Sequence, residues 1–192
     1  MAWTKTTTPD VTQLVSVAQA KSHLGLPSSD ASEDDRIHAM IEAAYEMAEK
    51  HTKRVFLQAT ITEYSDDFCP EFLLGAQPAV SVTSVAYYSN STQLTVASSD
   101  YDTGIDVVSV PARLRPDEGV SWPITDTRPN SVCLTYEAGS TAASKVPNRV
   151  RQAILLTVGN WNENRESVTL GGVNEMPLNA THLLDSLWTG HG

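Results

Sequence analysis

His38 and Glu42 stand four residues apart in the stretch Ser32–Lys53, SEDDRIHAMIEAAYEMAEKHTK, a spacing that puts an imidazole beside a carboxylate on a helix. The chemistry open to such a pair is a shared metal ion, but a metal site needs further ligands. The chain has two cysteines, Cys69 and Cys133, and no second histidine at ligand spacing, so the pair reads as a solvated helix couple. Asp66-Asp67 beside Glu63 would suit acid catalysis or calcium binding. Neighbouring residues of a strand face opposite ways, so the two aspartates would not converge, and a charged strand end or turn is the simpler reading. Asn160–Glu166, NWNENRE, is dense in polar groups and invites a sugar or acid/base site. At a helix end such groups usually satisfy terminal carbonyls or a neighbour. His23, His51, His182 and His191 have no triad companions identifiable by spacing. Asn90-Ser91-Thr92 and Asn179-Ala180-Thr181 match the glycosylation sequon, which carries little weight without a secretory signal. There is no glycine-rich phosphate loop, Gly-x-Ser-x-Gly elbow, His-Glu-x-x-His or Cys-x-x-Cys. The expectation is a protein that is not an enzyme and holds neither cofactor nor metal.

Composition narrows the classes further. A chain of 192 residues with 41% hydrophobic content is long enough to bury about 70% of its unfolded surface, as one domain or one domain with an insertion. No apolar run approaches the roughly 20 residues of a membrane span, and MAWTKTTTPD lacks a signal-peptide core. A soluble protein made in a cytoplasm is expected, with both cysteines as buried or half-buried thiols. A formal charge of −10 argues against a protein that grips nucleic acid by its phosphates, and not against one past which DNA slides.

The elements that would position these residues follow from periodicity. In Ser32–Lys53, Ile37, Met40, Ile41, Ala44 and Ala48 form one helical stripe. Ser32 would cap it, Glu33, Asp34 and Asp35 suit the positive end of its dipole, and Lys50, Lys53 and Arg54 suit the other. Ala39, Ala43 and Met47 make a second flank small enough for a helix to approach. Before it, Met1–Pro9 reads as a polar tail. Val11–Leu24 reads as a short helix with Ser16 as a possible cap, ended by Gly25 and Pro27. After it, VFLQATITEYSD, EFLLG, VTSVAYYS, QLTVA, YDTGIDVV and SVCLTYEAG read as strands at short intervals, with Asn90-Ser91 as a hairpin turn. Asp117–Asn130 is too rich in Pro and Gly to assign. Such spacing implies an antiparallel sheet or small sandwich. Helical texture returns at Val146-Pro147, with Val150, Ile154, Leu155, Val158 and Trp161 as a stripe ending near Arg165. Leu170–Pro177 is a loop, and Asn179 or Thr181 starts a last helix with Leu183, Leu184, Leu187 and Trp188 apolar before a loose Thr189–Gly192 tail. The expected fold class is α+β: a helical bundle of N- and C-terminal helices with an inserted antiparallel β domain. The expected boundaries are 1–54 for the tail and first helices, 55–139 for the β unit and 140–192 for the last helices and tail.

The order and spacing of these pieces resemble the head-to-tail connector (adaptor) family of tailed bacteriophages. The residues that carry the resemblance are the A-A-x-x-x-A-E-x-x-T-x-R pattern of Ala43–Arg54, Trp122-Pro123, Tyr136-Glu137-Ala138-Gly139, and Val146-Pro147 with Asn164-Arg165-Glu166. The likeness spans about residues 12–188, and none of its pieces is a catalytic motif. Asn160-Trp161 stands where such proteins often show a different aromatic pair.

The resemblance implies structural work in a virion neck at the capsid portal vertex, after assembly in the host cytoplasm. Expected partners are copies of the same chain in a ring, taken as a dodecamer, the portal protein, and a downstream neck or tail protein. DNA would pass through the channel without sequence-specific binding, and no membrane is involved. Candidate contacts with the portal or a neighbour are Leu184, Leu187, Trp188 and Trp161. Another neck component, such as a stopper or tail-completion protein, and a standalone β-rich binding module are the alternatives.

Overall fold

The structure, a computed structural model, describes residues 3–102, 112–164 and 176–187. These fall into two compact units, one made of residues 3–9 and 54–141, the other of residues 10–53 and 142–187. The fold class is α+β, with a five-stranded antiparallel sheet and four α-helices among the described residues.

The helical unit is built around α2 (Asp34–Thr52). Ile37, Ile41, Ala44, Tyr45 and Ala48 form its inner stripe and are all at most 2% exposed. Burying each isoleucine stabilises the fold by roughly 1.5–3 kcal/mol relative to leaving it in water. Helices α1 (Val17–His23), α3 (Asn148–Glu163) and α4 (Leu178–Asp185) all pack against α2. They bring Ala20, then Val150, Ala153, Ile154 and Val158, then Ala180 and Leu184 into the core. Met40, expected on the stripe, is half-buried, while Ala39 and Ala43 on the second flank are exposed.

Local chemistry corrects two helix starts. The helix expected over Val11–Leu24 is divided. Asp10 accepts the Thr12 N–H (2.9 Å) and caps a 3-10 turn at Val11–Gln13, and α1 starts only at Val17. There Ser16 and Gln19 form a reciprocal capping box, with contacts of 3.2 and 3.1 Å. Two capping side chains six residues apart offer the backbone an alternative to one continuous helix. At α2 the N-cap is Glu33, not Ser32, and makes no side-chain cap bond. Lys21, 3% exposed, holds that end instead: its ammonium donates to the Asp34 carboxylate at 2.5 Å and to the Asp30 carbonyl.

The β unit contains β1 (Trp3–Lys5), β2 (Ala59–Ser65), β3 (Phe72–Leu73), β4 (Ala79–Ser89), β5 (Thr92–Thr95), β6 (Arg113–Leu114) and β7 (Val132–Ala138). The main sheet runs β1-β2-β7-β4-β5, every neighbour antiparallel, and β3 pairs with β6 apart from it. Within the stretch expected as a polar tail, Trp3–Lys5 is therefore an edge strand of the sheet. Trp3 pairs with Glu63, and its ring lies where a side chain on Gly75 would stand. The β6 strand was not anticipated, and YDTGIDVV lies mostly outside the described residues. Alternate residues of β2 and β7, among them Ile61, Leu134 and Tyr136, face a core shared with Phe72, Leu74, Val85 and Leu114. Beside it Phe68 stacks on Trp122 with ring centres 4.9 Å apart, and Phe72 meets both rings edge-on. The β4–β5 hairpin turns at Asn90-Ser91, both left-handed (φ 51° and 62°), the conformation a two-residue hairpin with matched twist requires.

The entry and exit of the β unit are laced together. Ser140 N–H donates to the Phe56 carbonyl at 2.9 Å, and Gln58 N–H to the Ser140 carbonyl at 3.0 Å. Gly139 sits between them at φ +95°, where an added Cβ would stand 2.4 Å from the Leu57 carbonyl oxygen. Both the left-handed backbone and the close approach demand glycine here. Gly139→Ala should therefore destabilise the protein by roughly 2–4 kcal/mol, the sum of backbone strain and overpacking. A urea midpoint within error of wild type would refute this account of the junction.

Candidate functional site

The residues that suggested catalysis do not assemble. His38 Nδ1 lies 3.8 Å from Glu42 Oε2 on the open face of α2, both side chains well exposed. No group of three or more His, Cys, Asp or Glu with metal-binding geometry occurs among the described residues. Asp66 and Asp67 act as turn anchors: Asp66 accepts the Asn130 N–H at 2.8 Å, and Asp67 accepts the Phe68 N–H at 2.7 Å and the Thr125 hydroxyl at 2.9 Å. Glu63, their supposed partner, faces the other way and is 1% exposed. In Asn160–Glu166, Asn162 takes a hydrogen bond from Arg36 at 3.0 Å and Asn164 donates back to the Asn160 carbonyl at 2.9 Å. Arg165 and Glu166 lie outside the described residues. Both cysteines are free and half-buried, and burial pushes their thiols up, away from the reactive thiolate.

The candidate contact residues separate by burial. Leu184 is fully buried in the helical unit, in the core to which α4 contributes. Leu187 and Trp161 are half-buried, with part of each side chain in solvent. Trp188 lies outside the described residues. The α4 helix is also tied by hydrogen bonds. Asp185 receives His51 Nε2 at 2.9 Å and His182 Nδ1 at 3.3 Å. The hydrogen bond from His51, helped by His182, holds the Asp185 carboxyl below the usual carboxylate range.

Sequence reasoning missed the polar centre of the β unit, although the period-2 pattern of ATITEYS points Glu63 inward along with Ala59 and Ile61. The Tyr136 hydroxyl donates to Glu63 Oε2 at 2.9 Å and accepts the Ala76 N–H at 2.9 Å, while Gly75 N–H donates to the same carboxylate oxygen at 3.1 Å. Two sheet residues thereby clamp the backbone that follows β3. This is structural hydrogen bonding, with no open face for a substrate.

No protein-family model matches the chain, and no curated protein matches it by sequence. Solved structures do. A chain of the virion of the native gene transfer agent (GTA) particle superposes with TM-score 0.75 at 20% identity, over 98% of this chain and 95% of that one. A chain in the neck of the native GTA particle computed with C12 symmetry gives 0.75 at 20% identity, over 100% and 97%. One in the neck of the empty particle computed with C6 symmetry gives 0.74 at 20%, again over 100% and 97%. What is shared is the fold, across both units.

The Tyr136 cluster yields a pH prediction. Burial, and then the charge of Glu63, raise the Tyr136 phenol far above its ordinary value, so the fold favours the neutral form. Stability from this group is complete below the unfolded value of about 10 and is lost as pH rises above it. Tyr136→Phe should cost about 1–3 kcal/mol at neutral pH by leaving the Ala76 N–H and Glu63 without their partner. It should also remove part of the alkaline loss. Urea unfolding at pH 7, 9 and 10.5 measures both, and parallel declines in wild type and variant would contradict the assignment.

Proposed function

We propose that this chain is a structural connector in the neck of a tailed-phage-type particle, a ring-forming adaptor set under the portal. The observation that carries the reading is a likeness of fold over essentially the whole chain to proteins in GTA virion and neck structures, with neck structures computed with C12 and C6 symmetry. The order of sequence features that resembles the adaptor family supports it independently.

A ring of twelve copies, continuing the DNA channel from the capsid to the next neck or tail protein, is the form proposed. Closing such a ring takes two different complementary surfaces on each subunit. The exposed flank of α2 around Ala39 and Ala43 is one surface open to a neighbour, and Leu187, Trp161 and Trp188 are the proposed contacts with portal or neighbour. Leu184 is left out because it is core. A net charge of −10 suits a channel wall, since basic contacts would trap phosphates and make passage salt-dependent. In this reading the helical part is the bundle and the β unit its insertion.

In sedimentation the isolated protein should run as a monomer or weak oligomer, and with purified portal it should appear as a closed ring on the portal. A stable two-fold dimer under both conditions would sink the proposal. Binding to tail tubes in place of portal would assign it to a stopper or tail-completion role instead. Deleting Trp188–Gly192 should leave the melting temperature nearly unchanged and weaken portal binding by about 1–3 kcal/mol, the range of an interface anchor. Unchanged affinity would remove the chain end from the interface.

A further inference from the structure

The segment between Val120 and Ser131 holds an aliphatic side chain in water on a fixed frame. Ile124 is 88% exposed, more than any other large apolar residue described. The frame on either side of it is hydrogen-bonded. Thr125 is held by Asp67, and the Asp126 carboxylate accepts the Asn90 and Ser91 N–H groups of the hairpin at 2.8 and 2.7 Å. The Ser131 hydroxyl donates to the Asp126 carbonyl at 2.6 Å, and Pro123 stiffens the approach. Ile124 stands in the wall of an open cleft of about 890 Å³ that the stacked pair Phe68 and Trp122 also lines.

Charge selects the occupant. Asp66, Asp67 and Asp126 line this cleft, and none is ion-paired with a Lys or Arg among the described residues. The cleft's one basic side chain, Arg128, is turned onto the Tyr88 ring, its guanidinium 4.1 Å from the ring centre. Three carboxylates repel DNA phosphates, and they disfavour a second copy of a chain that itself carries −10. They favour lysine or arginine. Because the loop is already ordered, binding would immobilise little of it.

We propose that this cleft docks an extended cationic segment of a different protein, an aliphatic side chain lying against Ile124 and the Phe68–Trp122 pair and lysines or arginines facing the three aspartates. The inference goes beyond the connector reading and does not require it. The test is titration of the isolated full chain with a synthetic peptide of alternating lysine and leucine, followed by backbone amide shifts. Shifts confined to residues 66–70 and 122–129 are expected. Affinity should fall about tenfold in I124S and in the D66N/D67N pair, which keeps the turn-anchoring oxygens while removing charge. A glutamate–leucine peptide should not bind. No binding by the lysine–leucine peptide, shifts scattered over the acidic surface, or equal affinity for I124S would overturn the proposal. The same residues shifting on self-concentration would assign the cleft to a second copy, and shifting with a DNA duplex would assign it to nucleic acid; either result overturns it.

Discussion

The apolar stripe of α2 is the constraint on which the rest depends. A helix with Ile37, Ile41, Tyr45 and two alanines on one face is unstable in water until that face is covered. The segments that cover it come from both ends of the chain, α1 before it and α3 and α4 after it. The coverage is anchored by polar groups at the helix ends. Lys21 binds the Asp34 end of α2, the Arg151 guanidinium donates to the Leu14 carbonyl at 2.9 Å, and Asp185 bridges to His51. Each anchor joins different elements, so the helices share one core in place of separate amphipathic pieces.

A consequence follows for the β unit. Its chain leaves after α2 and must return to begin α3, so its two ends have to meet. They meet at Phe56–Gln58 and Gly139–Ser140, where the backbone approach is too close for any side chain at position 139. The sheet is then ordered around a central β7, flanked by β2 and β4, with the chain's first strand added at one edge. Polar groups inside it are permitted because they are paired: Glu63 and Tyr136 satisfy each other and two backbone N–H groups. The exception is the Trp122 indole N–H, buried without a partner among the described residues, its ring held by aromatic stacking.

The same arrangement explains why chemistry suggested by local spacing disperses. Asp66 and Asp67 each stabilise a different stretch of backbone, and the asparagines of α3 serve its end and Arg36. Among the described residues, surfaces open to a partner include an exposed alanine flank on α2 and the loop carrying Ile124.

Local signals were sufficient for much of this. The α+β class, the body of α2 and α3, the hairpin at Asn90-Ser91 and most strands could be read from periodicity and turn chemistry, because those features depend on residues a few positions apart. Parity along β2 even implied that Glu63 faces inward. Other outcomes were decided by contacts between distant residues. Trp3–Lys5 looks like a tail until Glu63 and Gly75 provide a partner strand and a place for the indole. Leu184 looks like a free anchor until α2 and α3 enclose it. Lys21 replaces the expected Ser32 cap because it reaches across from α1, and Arg113–Leu114 becomes a strand only opposite Phe72–Leu73. In each case the deciding free energy comes from burying apolar surface or pairing a polar group against a different element, and periodicity within one segment carries no record of that partner.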